Sequence, residues 1–525
     1  MESKKLLSCI RENRSNFRYR RKYVSLIRDR LLNANKGIVI IMSGLRYVGK
    51  SVILQQISED LKEDCLLLNT RTVIFKENEK PSDFYEELRE YIVRNKKKYV
   101  LIDEFTLCEG YDNFLAGLVN DLREVGISFV ITGSSYLNLN KLADEELGCR
   151  SSFVYVQPFT FAEWLNYKGK TNYLRIINPV DLENDIEECK EEYKEVKDIR
   201  NLFKEYLENY GEFMAQSSGL KGYLKSIVRD TIISNSRSYG NVSKILDVED
   251  ACALLRVLSY KMMSMSNIDL LQDDYYNYLS DFKGEERKKF LDLEKGTCLK
   301  EDLERVKNIK NIGDILNECY RYKLIYFYKK NKEAKRIDYY LSKSDLDLKV
   351  FLGDYNVVLA NLPLFLYYLK DIVEGSDVSI KDLLRYGNYG SFIEVYVVSK
   401  YAIAFNESIV CGYTPILMHG NTVFNEGTPN RGNIINKAGE VDIYDKIRKV
   451  AIEISISDKS EDHVYFCSDN IDSEIEDCVK ILLCDTKNKN WRIRDKVVYR
   501  MVYVLFIILL ELIDFGNTDR EMDII

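Results

Sequence analysis

Residues Gly37–Ser51 read GIVIIMSGLRYVGKS, and they are the strongest indication of the fold of the first part of the chain. Its first six residues form an apolar run, which is typical of a strand buried on both faces of a parallel sheet. The loop that follows matches G-x-x-x-x-G-K-[ST] through Gly44, Gly49, Lys50 and Ser51. Helical periodicity in VILQQISEDLKED comes next, so the motif has the strand–loop–helix context that it requires.

The spacing of this loop suits a phosphate-binding site. Two glycines permit the unusual dihedrals with which backbone N–H groups surround phosphate oxygens. Lys50 is expected to reach the β- and γ-phosphates, and the Ser51 hydroxyl to bind Mg²⁺. Arg46 either lies near the phosphates or contacts an acidic residue across the site. The start of the helix favours an anion through its dipole. We therefore predict an ATP and Mg²⁺ site that contains Gly44, Arg46, Gly49, Lys50, Ser51 and Val52.

An acidic pair follows a second apolar strand, Tyr99–Ile102. Asp103 and Glu104 stand at its carboxyl end, where parallel α/β sheets bind ligands. We expect this strand to neighbour the phosphate-loop strand, with Asp103 holding Mg²⁺ and Glu104 polarising the attacking water. Between Ser51 and Asp103 there is room for a helix and a strand, and CLLLNT, Cys65–Thr70, is the candidate strand. A solvated strand end is the alternative.

A third apolar strand, ISFVITGSS, ends in the hydroxyl residues Thr132, Ser134 and Ser135. A hydroxyl at this edge would contact the γ-phosphate or the attacking water, and Ser134 or Ser135 is the favoured residue. A turn or helix-capping serine is the alternative. Arg150 stands between a predicted helix and the strand SFVYVQP, and is a candidate arginine finger that acts on a neighbouring subunit. A surface arginine in an ion pair is its alternative.

Five segments that are typical of one protein family follow one another along the chain: SGLRYVGKS, YVLIDEF, FVITGSS, GCRSSFVYVQPFTFAEWL and EVDIYDKIRKVAIEIS. In them the chain resembles prokaryotic AAA-type ATPases that carry a C-terminal domain of unknown function with a restriction-endonuclease-like fold. The resemblance covers roughly residues 20–515 and is more specific in the ATPase part. It implies roles for the matching residues alone: Lys50, Ser51, Asp103, Glu104, a hydroxyl of Thr132–Ser135, and Arg150.

The resemblance also implies an α/β fold class and an order of domains. A P-loop, parallel-sheet AAA-type ATPase core is expected at 20–165 and a helical linker or lid at 166–248. A winged-helix-like domain is expected at 249–345, and a degenerate nuclease-like α/β domain at 346–525. Within the linker, residues 183–206 alternate in charge, which is typical of a solvated helix.

Residues 249–345 show helices followed by KLIYFYKK and RIDYYLS on either side of a polar turn, which is a winged-helix order. The cations of this turn would contact DNA phosphates, and they are Lys329, Lys330, Lys332, Lys335 and Arg336. The alternative is a charged hairpin tip, or a helix–wing unit that is used only for protein packing. That alternative is favoured because 76 basic and 83 acidic residues give the chain a net charge of −7.

The C-terminal part carries a candidate second metal site. A helix with Glu394 and a hairpin with Asp442 and Glu453 follow the order of restriction-type nucleases. In those enzymes carboxylates bind Mg²⁺ and a lysine orients the nucleophile. The lysine position here is Ser455, and Lys459 on the same strand face would lie roughly 20 Å away. A degenerate fold, with a structural or nucleic-acid-docking role, is therefore favoured over an active nuclease.

Composition excludes several classes of protein. With 525 residues, 46% of them hydrophobic, the chain suffices for several packed domains and is not predominantly disordered. Two histidines, and 12 cysteines without a C-x-x-C pair, argue against zinc and iron–sulfur chemistry. The apolar run Met501–Leu510 is too short to span a membrane and predicts a buried core element. Since the N-terminus lacks a signal-like apolar stretch, we expect a cytoplasmic protein with free thiols and no membrane contact.

Three functions are compatible with these patterns. The first is a Mg²⁺-dependent ATPase that couples ATP binding and hydrolysis to its C-terminal module. The alternative is a nucleic-acid-binding or nuclease module that ATP regulates, and a third is a slow nucleotide switch that reports to a protein partner. An arginine finger at Arg150 would also require a homo-oligomer.

Overall fold

The structure is a computed structural model that folds into two compact units. The first comprises Met1–Asn178, Tyr210–Cys252 and Leu512–Ile525, and the second comprises Pro179–Asn209 and Ala253–Glu511. The boundaries of the four expected domains stay predictions. The structure describes residues 3–12, 17–45, 47–75, 79–105, 116–133, 151–171, 181–209, 225, 228–229, 247–262, 298–309, 315–316, 319, 324–329, 355–359, 389–405, 410–413, 441–445, 447–455, 477–485, 490–493 and 496–513.

A five-stranded parallel sheet forms the centre of the first unit. Its strands are β1 (Val39–Ser43), β2 (Cys65–Asn69), β3 (Tyr99–Asp103), β4 (Ser128–Thr132) and β5 (Ser151–Tyr155). Their order is β2-β3-β4-β1-β5, and every neighbouring pair is parallel. The described helices of this unit are α1 (Lys4–Cys9), α2 (Lys22–Asn33), α3 (Lys50–Leu61), α4 (Pro81–Arg94), α5 (Ala116–Glu124) and α6 (Phe161–Tyr167).

The apolar runs form strands as the sequence predicts, because helices cover the sheet and leave no solvated face for alternation. All five residues of β1 and of β4 are buried. One expectation was wrong: β3 does not neighbour β1, because β4 lies between them. An apolar run specifies that a strand is buried on both faces but not which strand lies beside it, so this order could not be read from the chain.

The second unit contains a six-stranded mixed sheet in the order β12-β13-β11-β10-β9-β8. A separate antiparallel pair joins β6 to β7. The bounds are α7 (Leu182–Glu192), α8 (Ile199–Asn209), α9 (Val248–Met262), α10 (Cys298–Lys307), β6 (Ile325–Lys329), β7 (Tyr355–Leu359), α11 (Tyr389–Phe405), β8 (Val410–Tyr413), β9 (Val441–Asp445), β10 (Val450–Ser455), β11 (Val479–Cys484), β12 (Trp491–Ile493), β13 (Lys496–Val502) and α12 (Tyr503–Leu512).

The charged stretch 183–206 differs from the expected single solvated helix. It forms α7 and α8, separated by a turn in which Asp198 has a φ of 55°. Each helix buries a sparse apolar stripe, with Ile186 in α7 and Phe203 and Leu207 in α8 fully buried. Because charged residues are dense on the remaining faces, this apolar stripe is difficult to recognise in the sequence.

Two further expectations concern the middle and the end of the chain. β6 pairs with β7, whereas the expected wing strand RIDYYLS lies outside the described residues, as do Lys330, Lys332, Lys335 and Arg336. The winged helix therefore stays a prediction.

The apolar run from Met501 ends β13 and continues into α12, and it is buried throughout, which confirms a core element. In the part of the chain that is described, no helix is long and apolar enough to cross a bilayer.

A methyl group at Gly37 would collide with the backbone where α5 leads into β4. A Cβ there would lie 2.4 Å from the carbonyl oxygen of Arg123 and 2.6 Å from that of Ile127. We expect Gly37→Ala to lower the free energy of unfolding of the first unit by about 1–3 kcal/mol, because backbone must shift. Urea unfolding followed by the fluorescence of Trp164, in a Trp491→Phe background, measures this.

Gly117→Ala is the matched control. Gly117 lies in α5, and nothing lies within 4 Å of an added Cβ. The control should keep or raise stability, by up to about 1 kcal/mol, because alanine favours a helix over glycine. Equal stability of the two variants would contradict the close approach at Gly37.

Candidate functional site

The phosphate loop, Gly44–Gly49, connects the carboxyl end of β1 to the first turn of α3. Gly44 has a φ of 146°, and a Cβ at this position would lie 2.5 Å from the carbonyl oxygen of Val156. Tyr47 and Gly49 also have positive φ values, of 65° and 95°. The loop therefore has the tight, left-handed backbone that the spacing of its glycines predicts.

Lys50 places its ammonium group inside the loop. Its Nζ donates hydrogen bonds to the carbonyl oxygens of Gly44 and Leu45, both at 2.8 Å, and the residue is only 7% exposed. Phosphate oxygens would compete with these two carbonyls for the same charge. Ser51 is exposed and Val52 half-buried in the first turn of α3, while Arg46 lies outside the described residues.

Asp103 is the last residue of β3, and each of its two carboxylate oxygens accepts a hydrogen bond. Oδ1 accepts a hydrogen bond from Thr132 Oγ1 at 2.9 Å, and Oδ2 accepts one from Asn69 Nδ2 at 3.4 Å. Asn69 and Thr132 end the strands on either side of β3, so the parallel register brings all three residues to one edge. The carboxylate is thus fixed in orientation at the edge where the phosphate loop also begins.

Thr132 is a site residue whose role the sequence did not reveal. The polar end of this strand predicted a hydroxyl in contact with phosphate or water, with Ser134 or Ser135 favoured. In the structure the Thr132 hydroxyl bonds to Asp103. The available signal was its position as the last residue of an apolar run, but the partner depends on which strands are neighbours.

Glu104 has a strained backbone, with a φ of 58°. Such values are costly for residues other than glycine and cluster at functional sites. Thr70 stabilises this conformation, because its Oγ1 lies 2.8 Å from the carbonyl oxygen of Glu104 and 3.1 Å from that of Asp103. The Glu104 Oε2 atom is buried and has no hydrogen-bond partner among the described residues. A carboxylate oxygen in this state fits an acceptor for water or for a metal-bound ligand.

The remaining predicted residues of this site lie outside the described part of the chain. They are Ser134, Ser135 and Arg150. Their roles stay predictions, and so does the oligomer that an arginine finger would require.

A buried ion pair behind the phosphate loop was also missed in the sequence. Arg21, the residue before α2, bonds to both carboxylate oxygens of Glu163, with Nε–Oε1 at 2.9 Å and Nη2–Oε2 at 2.6 Å. Their side chains are 10% and 0% exposed. Glu163 also closes a capping box with Thr160 at the start of α6. The pattern T-x-x-E in TFAE was a visible signal for the cap, but not for its partner Arg21.

Burial favours the neutral form of Glu163, but its partners outweigh that effect. The charge and hydrogen bonds of Arg21 lower the pKa of Glu163, helped by Lys22 and by the backbone of Thr160. The net result is a pKa below the ordinary value. The carboxylate is therefore charged in the folded protein at neutral pH.

The C-terminal carboxylates are brought together only in part. The register of β9 and β10 pairs Ile443 with Ile452, which puts Asp442 beside Glu453 on the same face. Asp442 Oδ2 accepts a hydrogen bond from the backbone N–H of Ile454 at 2.6 Å, and Glu453 is buried. Thus the predicted hairpin is confirmed, and its two carboxylates are cross-strand neighbours.

The other members of that predicted site give it little support. Glu394 lies half-buried in α11, Ser455 ends β10, and Lys459 lies outside the described residues. Lys480 in β11 lies opposite Ala451 by register, but its Nζ donates to the carbonyl oxygen of Cys478 at 3.4 Å. Among the described residues, no three Asp, Glu, His or Cys side chains converge on a metal position.

Comparison with known proteins bears on the first unit. Residues 36–165 match the family model described as an AAA domain. Together with the five-stranded parallel sheet, this match supports an AAA-type P-loop ATPase domain. It does not extend to the second unit, where the nuclease-like fold stays a prediction. No curated protein matches the chain in a sequence comparison.

One similar solved structure is that of PCH-2 from C. elegans. The similarity covers 43% of this chain and 62% of that chain, with 17% identity and a TM-score of 0.24. This chain therefore spans less than two thirds of the length of PCH-2. We infer nothing about function from this low structural similarity.

Glu163 should make the stability of the first unit depend on pH. Because its folded-state pKa is lowered, its contribution is complete above the unfolded-state value of about 4.3 and is lost as pH falls through the folded-state pKa. Glu163→Gln leaves Arg21 buried without its counter-charge, which should cost about 3–5 kcal/mol at pH 7. The difference between wild type and variant should shrink below about pH 4.3.

The measurement is urea unfolding between pH 3 and pH 7, again followed by Trp164 in the Trp491→Phe background. Glu86→Gln is the control, since Glu86 forms an exposed pair with Arg89 at 3.6 Å. Such a surface pair contributes about 0–1 kcal/mol. If the difference in the free energy of unfolding between wild type and Glu163→Gln stays constant across this pH range, the partners of Glu163 do not lower its pKa and the prediction is wrong.

Proposed function

We propose that the chain is an ATP-binding protein and a Mg²⁺-dependent ATPase that couples its nucleotide cycle to the second unit. One observation carries this proposal: the phosphate loop, the buried carboxylate of Asp103 and the strained Glu104 all follow strands of one parallel sheet at its carboxyl edge. The AAA-domain match over residues 36–165 supports it.

Each residue has a distinct role in the proposed reaction. Lys50 and the backbone N–H groups at the start of α3 bind the phosphates, because both are positive at that point. Ser51 and Asp103 would hold Mg²⁺, which supplies charge neutralisation on the phosphate oxygens. Glu104 takes the proton from the attacking water, and Thr132 and Asn69 keep the Asp103 carboxylate in place.

The proposal includes three further residues. Arg46 contacts phosphate or an acidic side chain, Ser134 contacts the γ-phosphate or the attacking water, and Arg150 from another copy neutralises charge in the transition state. The proposal further includes a cytoplasmic location and a DNA or protein partner for the second unit.

Two substitutions separate binding from hydrolysis. Lys50→Ala should abolish ATP binding, because the positive charge inside the loop is removed. Glu104→Gln should keep ATP affinity within a few-fold and lower kcat by about 10²–10⁴, the usual effect of losing a general base. Calorimetry with Mg-ATP and a phosphate-release assay measure the two effects.

Glu79→Gln serves as a surface control in the first unit and should change neither quantity. The proposed function fails if the wild-type chain shows no affinity for Mg-ATP. It is also contradicted if Glu104→Gln hydrolyses ATP at the wild-type rate, since another base must then act.

A second candidate function is a Mg²⁺-dependent nuclease in the second unit. The observation that favours it is the cross-strand placement of Asp442 beside Glu453. Against it stands Ser455 where a lysine is expected. Incubation of supercoiled plasmid with Mg²⁺ or Mn²⁺ tests this function, and Glu453→Gln must abolish any cleavage that is seen. Intact plasmid with the wild-type chain rules this candidate out.

A further inference from the structure

We propose that Arg21 is a positioning residue for the nucleotide site. In this inference its guanidinium fixes the peptide that begins α3, and Glu163 fixes the guanidinium. The inference rests on the proposed nucleotide binding and deepens it, because it names the group that presets the phosphate loop for a nucleoside triphosphate or diphosphate.

Arg21 contacts both the phosphate loop and the segment that follows β5. Besides its two bonds to Glu163, Nη1 donates to the carbonyl oxygen of Val48 at 2.6 Å. Nη2 donates to the carbonyl oxygen of Gln157 at 2.8 Å and lies 3.3 Å from that of Pro158. One planar group thus joins the phosphate loop to the segment that follows β5.

The bond from Arg21 to Val48 sets the direction of the next backbone N–H in the loop. In a trans peptide the C=O and the following N–H point in opposite directions. Arg21 draws the Val48 carbonyl towards itself, so the Gly49 N–H must point away from it. Gly49 is the N-cap of α3, and its N–H adjoins the first-turn N–H groups that have no partner within the helix. Those groups form the anion-binding end of α3.

The segment that precedes Arg21 is held against both α3 and α6. The preceding residues, Phe17–Tyr19, lie along α3, where Gln56 Nε2 donates to the carbonyl oxygens of Phe17 at 3.1 Å and Tyr19 at 2.9 Å. The Tyr19 hydroxyl donates to the Glu163 carbonyl oxygen at 2.9 Å. Arg20 Nη2 pairs with Asp60 Oδ1 at 2.7 Å. Contacts from both α3 and α6 therefore limit where the guanidinium can lie.

The arrangement of these hydrogen bonds requires an arginine at position 21. A guanidinium presents five donors in a rigid plane, and Arg21 uses them on Glu163, Val48 and Gln157 together. Lysine keeps the charge, but its compact ammonium cannot reach the carboxylate and both carbonyls at once. Arg21→Lys therefore preserves the buried charge pair while it releases the Val48 peptide.

The experiment compares Arg21→Lys with a matched buried pair in the second unit. Arg256 and Asp302 are each 6% exposed at their side chains and bond at 2.6 Å and 2.7 Å. Arg256→Lys is thus a similar disturbance away from the phosphate loop. The dissociation constant of Mg-ADP is measured by calorimetry on each folded full-length variant, with the active fraction taken from the stoichiometry. We expect at least a tenfold weaker affinity for Arg21→Lys and a change below twofold for Arg256→Lys.

The affinity per folded site separates positioning from mere stability, because a purely structural loss lowers the stoichiometry and leaves the dissociation constant unchanged. A second variant, Glu163→Asp, retracts the carboxylate and displaces the guanidinium while it keeps the charge. This variant should also bind Mg-ADP more weakly than the wild type, and it replaces Arg21→Lys if Arg21→Lys does not fold. Wild-type affinity in the folded Arg21 or Glu163 variant overturns the inference alone. A wild-type chain that binds no Mg-ADP overturns both the inference and the proposed function.

Discussion

The candidate site depends on the parallel register of β3 and β4, which places Thr132 beside Asp103. The hydrogen bond between them, 2.9 Å from Oγ1 to Oδ1, is the visible result of that register. If β4 slipped by one residue, Thr132 would face the other side of the sheet, because side chains alternate along a strand. Asp103 would then lose the donor that orients it, and the acidic edge would no longer match the phosphate loop that follows β1.

The charges of Lys50, Asp103 and Glu163 are buried, and nearby polar groups compensate each of them. The Lys50 ammonium bonds to loop carbonyls, Asp103 accepts from a hydroxyl and an amide, and Glu163 holds Arg21. Desolvating these groups costs free energy that the hydrogen bonds offset only when their geometry is good. The buried pairs are therefore better understood as devices that fix geometry than as sources of net stability. This view suits a loop whose backbone must be set before a phosphate can bind.

The second unit also contains a buried ion pair. Lys400 in α11 and Glu511 in α12 pair at 2.9 Å, and Tyr396 donates to the same Glu511 oxygen. In the sequence these two helices are apolar runs, and the pairing of their isolated charges could not be predicted from either. The pair ties two almost wholly apolar helices in one relative register, because sliding either helix would leave a charge buried alone.

Local patterns in the sequence were sufficient to predict the strands β1 to β5, the phosphate loop with Lys50, and the acidic pair Asp103 and Glu104. These were predictable because apolar runs, glycines and a fixed motif spacing act over a few neighbouring residues. The same local logic located the β9–β10 hairpin and the buried segment that became α12. By contrast, the strand order, the Thr132–Asp103 bond and the Arg21–Glu163 pair became apparent only in the folded chain. Residues 21 and 163 are far apart in the chain, and their contact arises only when the sheet, α2 and α6 pack together. No periodicity or spacing along the chain encodes such a contact, since it depends on which buried surfaces become neighbours.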